Sequence, residues 1–379
     1  MATKKAKATQ PTRHKTKHEH TVLVLQGGGA LGAYQAGAYE GLAEAGLAPD
    51  WVTGVSIGAI NAALIAGNPP GRRVERLRAF WDLVSSSVPL VLPAGLDPFR
   101  PALNRFSAAG AIAFGINGFF SPRVPPPFFA EDGSVGALSF YDTEPLKRTL
   151  EELVDFDLIN DHSMRLSVGT ANVRTGDSVY FDNRHHQITA DHIRASGALP
   201  PGFPPVTIAG EQYWDGGMVS NSPLWYVLDD SPRLNALIIQ VDLFSARGEL
   251  PVNLNQVMER AKDIQYSSKT RFNTKRIKEL RELHDVLGRL LERLPPALKN
   301  DRDGRQLAKL CDQGDITIAH LINRRLSHSA QSKDYEFSRT TINELWAAGL
   351  EDVRRSIADV DLLRPKDFGI GMRVYDLTR

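Results

Sequence analysis

Residues 21–46 read TVLVLQGGGALGAYQAGAYEGLAEAG. The opening Thr21-Val-Leu-Val-Leu25 is a short β-branched run, the composition of a strand buried on both faces. It passes through Gln26 straight into three glycines. From Ala33 to Ala45 small and apolar residues recur at helical spacing, and Gly46 ends the helix. A second strand is expected at Trp51–Val55, then a buried Ala/Ile-rich helix at Ile57–Ala66. Strand, turn and helix repeated in this order predict a parallel sheet covered by helices on both faces.

Further along, residues 88–136 are rich in Pro, Phe and Gly and poor in charge. A long, weakly patterned insertion of this kind reads as a lid or binding loop, or as an irregular buried segment. Its Phe114, Phe119, Phe120, Phe128 and Phe129 are candidates to line an acyl pocket, to touch a bilayer or to fill the core. Asp142 is placed to cap a helix running to Leu153. Arg165–Ala171 and Ser178–Asp182 predict a hairpin, and Asn235–Phe244 a core strand. From Leu254 the pattern is long, charged and helical, interrupted by a strand-like DITIAHLI at 315–322 and followed by a helix near Thr341–Ala358. The expected division is a tail at 1–20, a catalytic domain at 21–250 and a mostly helical C-terminal extension at 251–379.

The 379 residues carry 45 Lys+Arg, 44 Asp+Glu and one cysteine. A net charge of +1 gives the whole chain no attraction to nucleic acid. Residues 1–20 nevertheless hold six Lys/Arg and one acid, a local +5 that leaves −4 for the rest. This basic arm is either a solvated tail or a contact for anionic lipid headgroups. No apolar core of a signal peptide follows it, and no run of 18 apolar residues occurs, so a cytoplasmic chain is expected, with peripheral membrane contact through the arm. Cys311 has no partner for an intrachain disulfide and reads as a small buried hydrophobe.

Two glycine motifs carry chemistry. Gly27, Gly29 and Gly32 fit G-x-G-x-x-G between a strand and a helix, with Asp50 some twenty residues on, which is a dinucleotide-binding pattern. The same turn also serves to aim backbone N–H groups at an oxyanion. Gly54-Val-Ser-Ile-Gly58 is G-x-S-x-G between a predicted strand and a helix, the setting of a nucleophile elbow. A dinucleotide enzyme leaves this second motif unexplained. The serine needs a base. His185, His186 and His192 come too early for a Ser…Asp…His order, and His284, His320 and His328 lack glycine or strand-end context. Asp215, in Tyr213-Trp-Asp-Gly-Gly217, is the better candidate, because partial burial raises a carboxylate toward useful basicity.

QGGGALGAYQAG, GVSIGAINAA, ASGALPPGFPPV at 195–206 and YWDGGMVSNSPL at 213–224, in that order, resemble the patatin-like phospholipase family. The resemblance implies a three-layer α/β/α patatin-like fold with a mainly parallel central sheet. It implies a Ser-Asp dyad of Ser56 and Asp215, an oxyanion hole at Gly27, Gly28 and Gly29, and supporting glycines at 32, 54, 58, 216 and 217. Neither metal nor organic cofactor is implied. Many family members have Arg or Lys where Leu31 stands here. The expected activity is hydrolysis of lipid esters, a carboxylic ester hydrolase of phospholipase A or lysophospholipase type. Another acyl ester or thioester, such as a hydroxyacid oligomer, is the alternative. A non-catalytic patatin-like interaction protein is the alternative of a different class.

Overall fold

The computed structural model describes residues 18–86, 100–230, 235–267, 270–311, 314–324, 333–357 and 372–378. Most of the basic arm and the first part of the 88–136 insertion lie outside these residues. Among the described residues there are eleven strands: β1 (His20–Leu25), β2 (Trp51–Val55), β3 (Ser121–Pro122), β4 (Tyr141–Asp142), β5 (Arg165–Asn172), β6 (Ser178–Asp182), β7 (Val206–Ile208), β8 (Glu211–Asp215), β9 (Ala236–Asp242), β10 (Ile316–Ile322) and β11 (Met372–Asp376). β3 and β4 form a small separate ladder. The others make one sheet in the order β11-β10-β9-β1-β2-β5-β8-β7, with β6 also on β5. β11 through β5 run parallel, and the pairs made by β6, β7 and β8 are antiparallel.

The β1 side chains explain the layering. Leu23 and Leu25 join a core with α1 (Ala33–Glu44) and α2 (Ile57–Ala66), while Val22 and Val24 join a second core with Leu224, Val227 and Ile277 on the other face. Alternating residues are buried to opposite sides, so both faces of the sheet are covered.

The C-terminal region is mostly helical, and its two strands extend the central sheet beyond β9, with Ile318 beside Ile238. Its helix Arg339–Ile357 crosses α1 at two glycines. A Cβ at Gly37 would collide with the Trp346 carbonyl, and one at Gly349 with the Tyr34 carbonyl. Backbones this close need glycine on both partners. The crossing is tied by Tyr34 Oη donating to Asp352 at 2.7 Å and by the Arg354–Glu44 pair.

Three expectations need correction. The described part of the insertion contains an alanine-rich helix, Arg100–Phe114, so it is not irregular throughout. The residue that caps the helix Glu144–Leu153 is Thr143, while Asp142 accepts the Glu144 N–H from one position earlier. Cys311 is half-buried, on the amphipathic helix Arg302–Cys311 against Gly288, because that short surface helix has little beneath it to bury the thiol.

Candidate active site

Ser56 sits between the end of β2 and the start of α2 with φ 57° and ψ −126°. A non-glycine residue is strained there and persists only where its surroundings impose it. Those surroundings are visible. A Cβ on Gly54 would meet the Gly58 backbone, and one on Gly58 the Leu25 carbonyl, so the turn closes only with glycines at both places. The Ser56 N–H donates to Ser196 Oγ at 2.9 Å, and the Ser196 hydroxyl donates to the Gly169 carbonyl at 2.6 Å. Ser196 thereby fastens the elbow to β5.

The glycine loop is held from three directions. Gly27 N–H donates to the Asn221 carbonyl at 3.2 Å, and Asn221 Nδ2 returns a bond to the Gly27 carbonyl at 3.1 Å. Gln26, fully buried, accepts the N–H groups of Leu243 and Phe244 and donates to the Tyr266 carbonyl. Ala30 N–H donates to the Asp334 carbonyl at 2.9 Å. Gly29 has φ 55°, and a Cβ there would strike that same carbonyl. Gly32 lies against Ile57 and Trp81. Of the three expected oxyanion glycines, Gly27 has its N–H already engaged. The N–H groups of Gly28 and Gly29, and that of Ile57 after the serine, meet no acceptor among the described residues.

Asp215 ends β8, which pairs with β5 through Thr170 and so brings the carboxylate beside the elbow. It is 2% exposed, accepts the Gly217 N–H at 2.7 Å and lines the same cavity as Ser56. Burial pushes its pKa up to about 6, and the nearby Ser56 side chain and the Gly217 N–H hold it from rising further. Gly216 packs against the Gly169 carbonyl, and Gly217 lies against Asp215 and Asn221, so neither has room for a side chain. Asp50 is elsewhere. It precedes β2, accepts the Thr21 N–H and pairs with His20 at 3.5 Å, at the end of the sheet opposite the glycine loop. The acid of a dinucleotide site is therefore missing from its required place.

A cavity opens over Ser56 and Asp215. Its walls are largely aromatic. Phe119, Phe120 and Phe203 form one cluster, with Phe337 5.9 Å from Phe119 between ring centroids. Of the five phenylalanines singled out in the insertion, only Phe119 and Phe120 line this cavity, whereas Phe114, Phe128 and Phe129 are exposed. No histidine is among the described residues that line it. Sequence reasoning missed Ser196, Asn221, Tyr266, Asp334 and Phe337. Ser196 and Asn221 fall inside the motif segments ASGALPPGFPPV and YWDGGMVSNSPL, a usable signal. The other three come from the C-terminal region, where no local pattern marks them.

A strained serine before a helix, a buried carboxylate in the same cavity wall and unengaged N–H groups beside both are the parts of an acyl-transfer site on an α/β scaffold. The chain matches the patatin-like phospholipase model over residues 23–228 and a second model, described as patatin phospholipase, over 264–368. It belongs to the patatin-like phospholipase family, whose members hydrolyse lipid esters. No curated protein matches it by sequence. Among solved structures it is similar to VipD from Legionella pneumophila, at 15% identity and TM-score 0.38, covering 92% of this chain and 67% of that one. It is also similar to the structure of full-length SpcU in complex with full-length ExoU from the type III secretion system of Pseudomonas aeruginosa, at 15% identity and TM-score 0.30, covering 91% and 79%. No helix among the described residues is long and apolar enough to cross a membrane.

Proposed function

We propose that the chain is a serine acyl hydrolase that releases fatty acids from lipid esters with a Ser56–Asp215 dyad. Ser56 Oγ attacks the ester carbonyl carbon as Asp215 takes its proton. The N–H groups of Gly28 and Gly29, joined by that of Ile57, hold the resulting oxyanion. The carbon–oxygen bond to the alcohol then breaks, and Asp215 returns the proton to the leaving oxygen. A water molecule attacks the acyl-serine, giving its proton to the same carboxylate, and the free acid and Ser56 are regenerated. The aromatic cavity takes the acyl chain. The observation that carries this reading is a strained serine and a fully buried carboxylate, its pKa near 6, set together in the wall of one cavity. Peripheral contact with anionic lipid through the basic residues of 1–20 belongs to the same reading.

The test is p-nitrophenyl ester hydrolysis by Ser56→Ala and Asp215→Asn. Each should lose at least a thousandfold in kcat while keeping the wild-type circular dichroism spectrum. Wild-type turnover in either variant overturns the reading. Flotation with anionic vesicles, comparing the full chain with one beginning at Thr21, tests the lipid contact, and equal recovery of the two removes it.

A further inference from the structure

A second cavity adjoins the one that holds the dyad. It is an open cleft that runs along the Gly217–Ser222 segment, past Trp225, Tyr226 and Asp229. Leu199, Gly217, Asn221 and Tyr266 line both. Gly217, whose N–H bonds the Asp215 carboxylate, is one of these shared residues, so a substrate whose carbonyl lies at Ser56 can extend from the aromatic cavity into the cleft. The acyl chain suits the aromatic side. The alcohol half then falls in the cleft, among the Ser178, Ser220 and Ser222 residues and the Trp225 and Tyr226 rings.

What these walls lack is positive charge. Among the described residues lining the two cavities there is no Lys or Arg, and there are three carboxylates, Asp215, Asp334 and Asp229. The nearby lysines behind the wall are engaged. Lys262 bonds Asp334 at 2.5 Å, and Lys333 bonds Asp263 at 2.5 Å and Glu259 at 3.4 Å. Leu31, beside the glycine loop, is fully buried in the core and presents nothing to the site. A phosphate anion entering here would give up water without a counter-charge, and recognition of phosphate ordinarily uses Arg, Lys or convergent N–H groups. The unengaged N–H groups of Gly28 and Gly29 are already assigned to the ester oxyanion. An added anion beside Asp215 would also raise further the pKa of the base that must be ionised to act.

We propose, resting on the serine-hydrolase reading above, that the site selects esters whose alcohol half carries no net negative charge, with neutral glycerides as the fitting class, and disfavours anionic phospholipids. Hydroxyl groups of a glyceride can donate to Asp229 and exchange bonds with the cleft serines, at no desolvation cost of a charge.

The experiment measures fatty-acid release by the full-length protein from diacylglycerol and from phosphatidic acid with identical acyl chains, each at low mole fraction in nonionic detergent micelles. Release by Ser56→Ala is subtracted. The expected kcat/KM for diacylglycerol exceeds that for phosphatidic acid by at least tenfold. Asp229→Lys, an exposed position, should shrink that ratio at least threefold by raising phosphatidic acid turnover. Ser56-dependent release from phosphatidic acid that equals or exceeds release from diacylglycerol overturns the proposal, as does an unchanged ratio in the Asp229 variant. Absence of Ser56-dependent release from both lipids and from p-nitrophenyl butyrate overturns the serine-hydrolase reading instead, and this proposal with it.

Discussion

Asp215 and Ser56 line one cavity, the carboxylate 2% exposed, with no histidine among the described residues around them. A two-residue arrangement asks the carboxylate to do what imidazole does elsewhere. Water gives an aspartate too little basicity, and burial restores part of it.

Activity should follow ionisation of this carboxyl. With a pKa of about 6, kcat/KM for a p-nitrophenyl ester is expected to rise with pH, reach half its maximum near pH 6 and level off above about pH 7. A profile flat from pH 5 to 8 would separate the base from Asp215.

The same shift acts on stability, with a definite sign. The folded-state pKa is raised from 3.8 to about 6, so the folded chain binds more protons across that window and loses stability as pH rises through it, by on the order of 3 kcal/mol. Asp215→Asn removes the slope. The inactive variant should therefore melt at a higher temperature than wild type at pH 8, with the gap narrowing toward pH 4. Thermal melts at the two pH values decide this.

Ser196 is expected to behave as a positioning residue. Its buried hydroxyl accepts the Ser56 N–H and donates to the Gly169 carbonyl. Ser196→Ala leaves an N–H and a carbonyl without partners, at about 1–3 kcal/mol. We expect kcat to fall about tenfold with KM nearly unchanged, because the elbow relaxes while the acyl cavity stays intact. Ser196→Thr should recover part of the loss.

Phe337 should set acyl length. It is buried against Phe119 at the wall of the cavity. Phe337→Leu shortens that wall, and the kcat/KM ratio for p-nitrophenyl palmitate over butyrate should rise severalfold. An unchanged chain-length profile would place the acyl group elsewhere.

Gly349 tests how the C-terminal region is attached. A methyl group there collides with the Tyr34 carbonyl across the α1 crossing, and overpacking of this kind costs about 1–3 kcal/mol. Gly349→Ala should lower the melting temperature by several degrees in one cooperative transition. Two separate transitions would mean that the extension folds apart from the catalytic sheet.

Much of the fold and the heart of the site are legible in the chain because they depend on local geometry. A β-branched run entering three glycines, or a serine flanked by glycines two residues away on either side, announces its turn within a few residues. Asp215 is legible from its Trp-Asp-Gly-Gly setting together with the order of the motifs. Ser196, Tyr266 and Asp334 are a different case. Ser196 meets Ser56 across 140 positions, and the Tyr266 carbonyl meets Gln26 across 240. Asp334 holds the glycine loop through its main-chain carbonyl, which any residue would supply. Only the tertiary fold, with β9 beside β1 and β10 beyond it on one side and β5 beside β2 on the other, brings these groups together. The exposed Phe114, Phe128 and Phe129 illustrate the converse, since composition alone does not separate a phenylalanine that lines a cavity from one that faces out.

Reaction of the full-length protein with a fluorophosphonate probe, followed by intact-mass and peptide mass spectrometry, tests the central claim most directly. The dyad predicts one adduct per chain, on Ser56, absent from Ser56→Ala and strongly slowed in Asp215→Asn. No adduct, or an adduct on another serine together with wild-type ester turnover by Ser56→Ala, would contradict it.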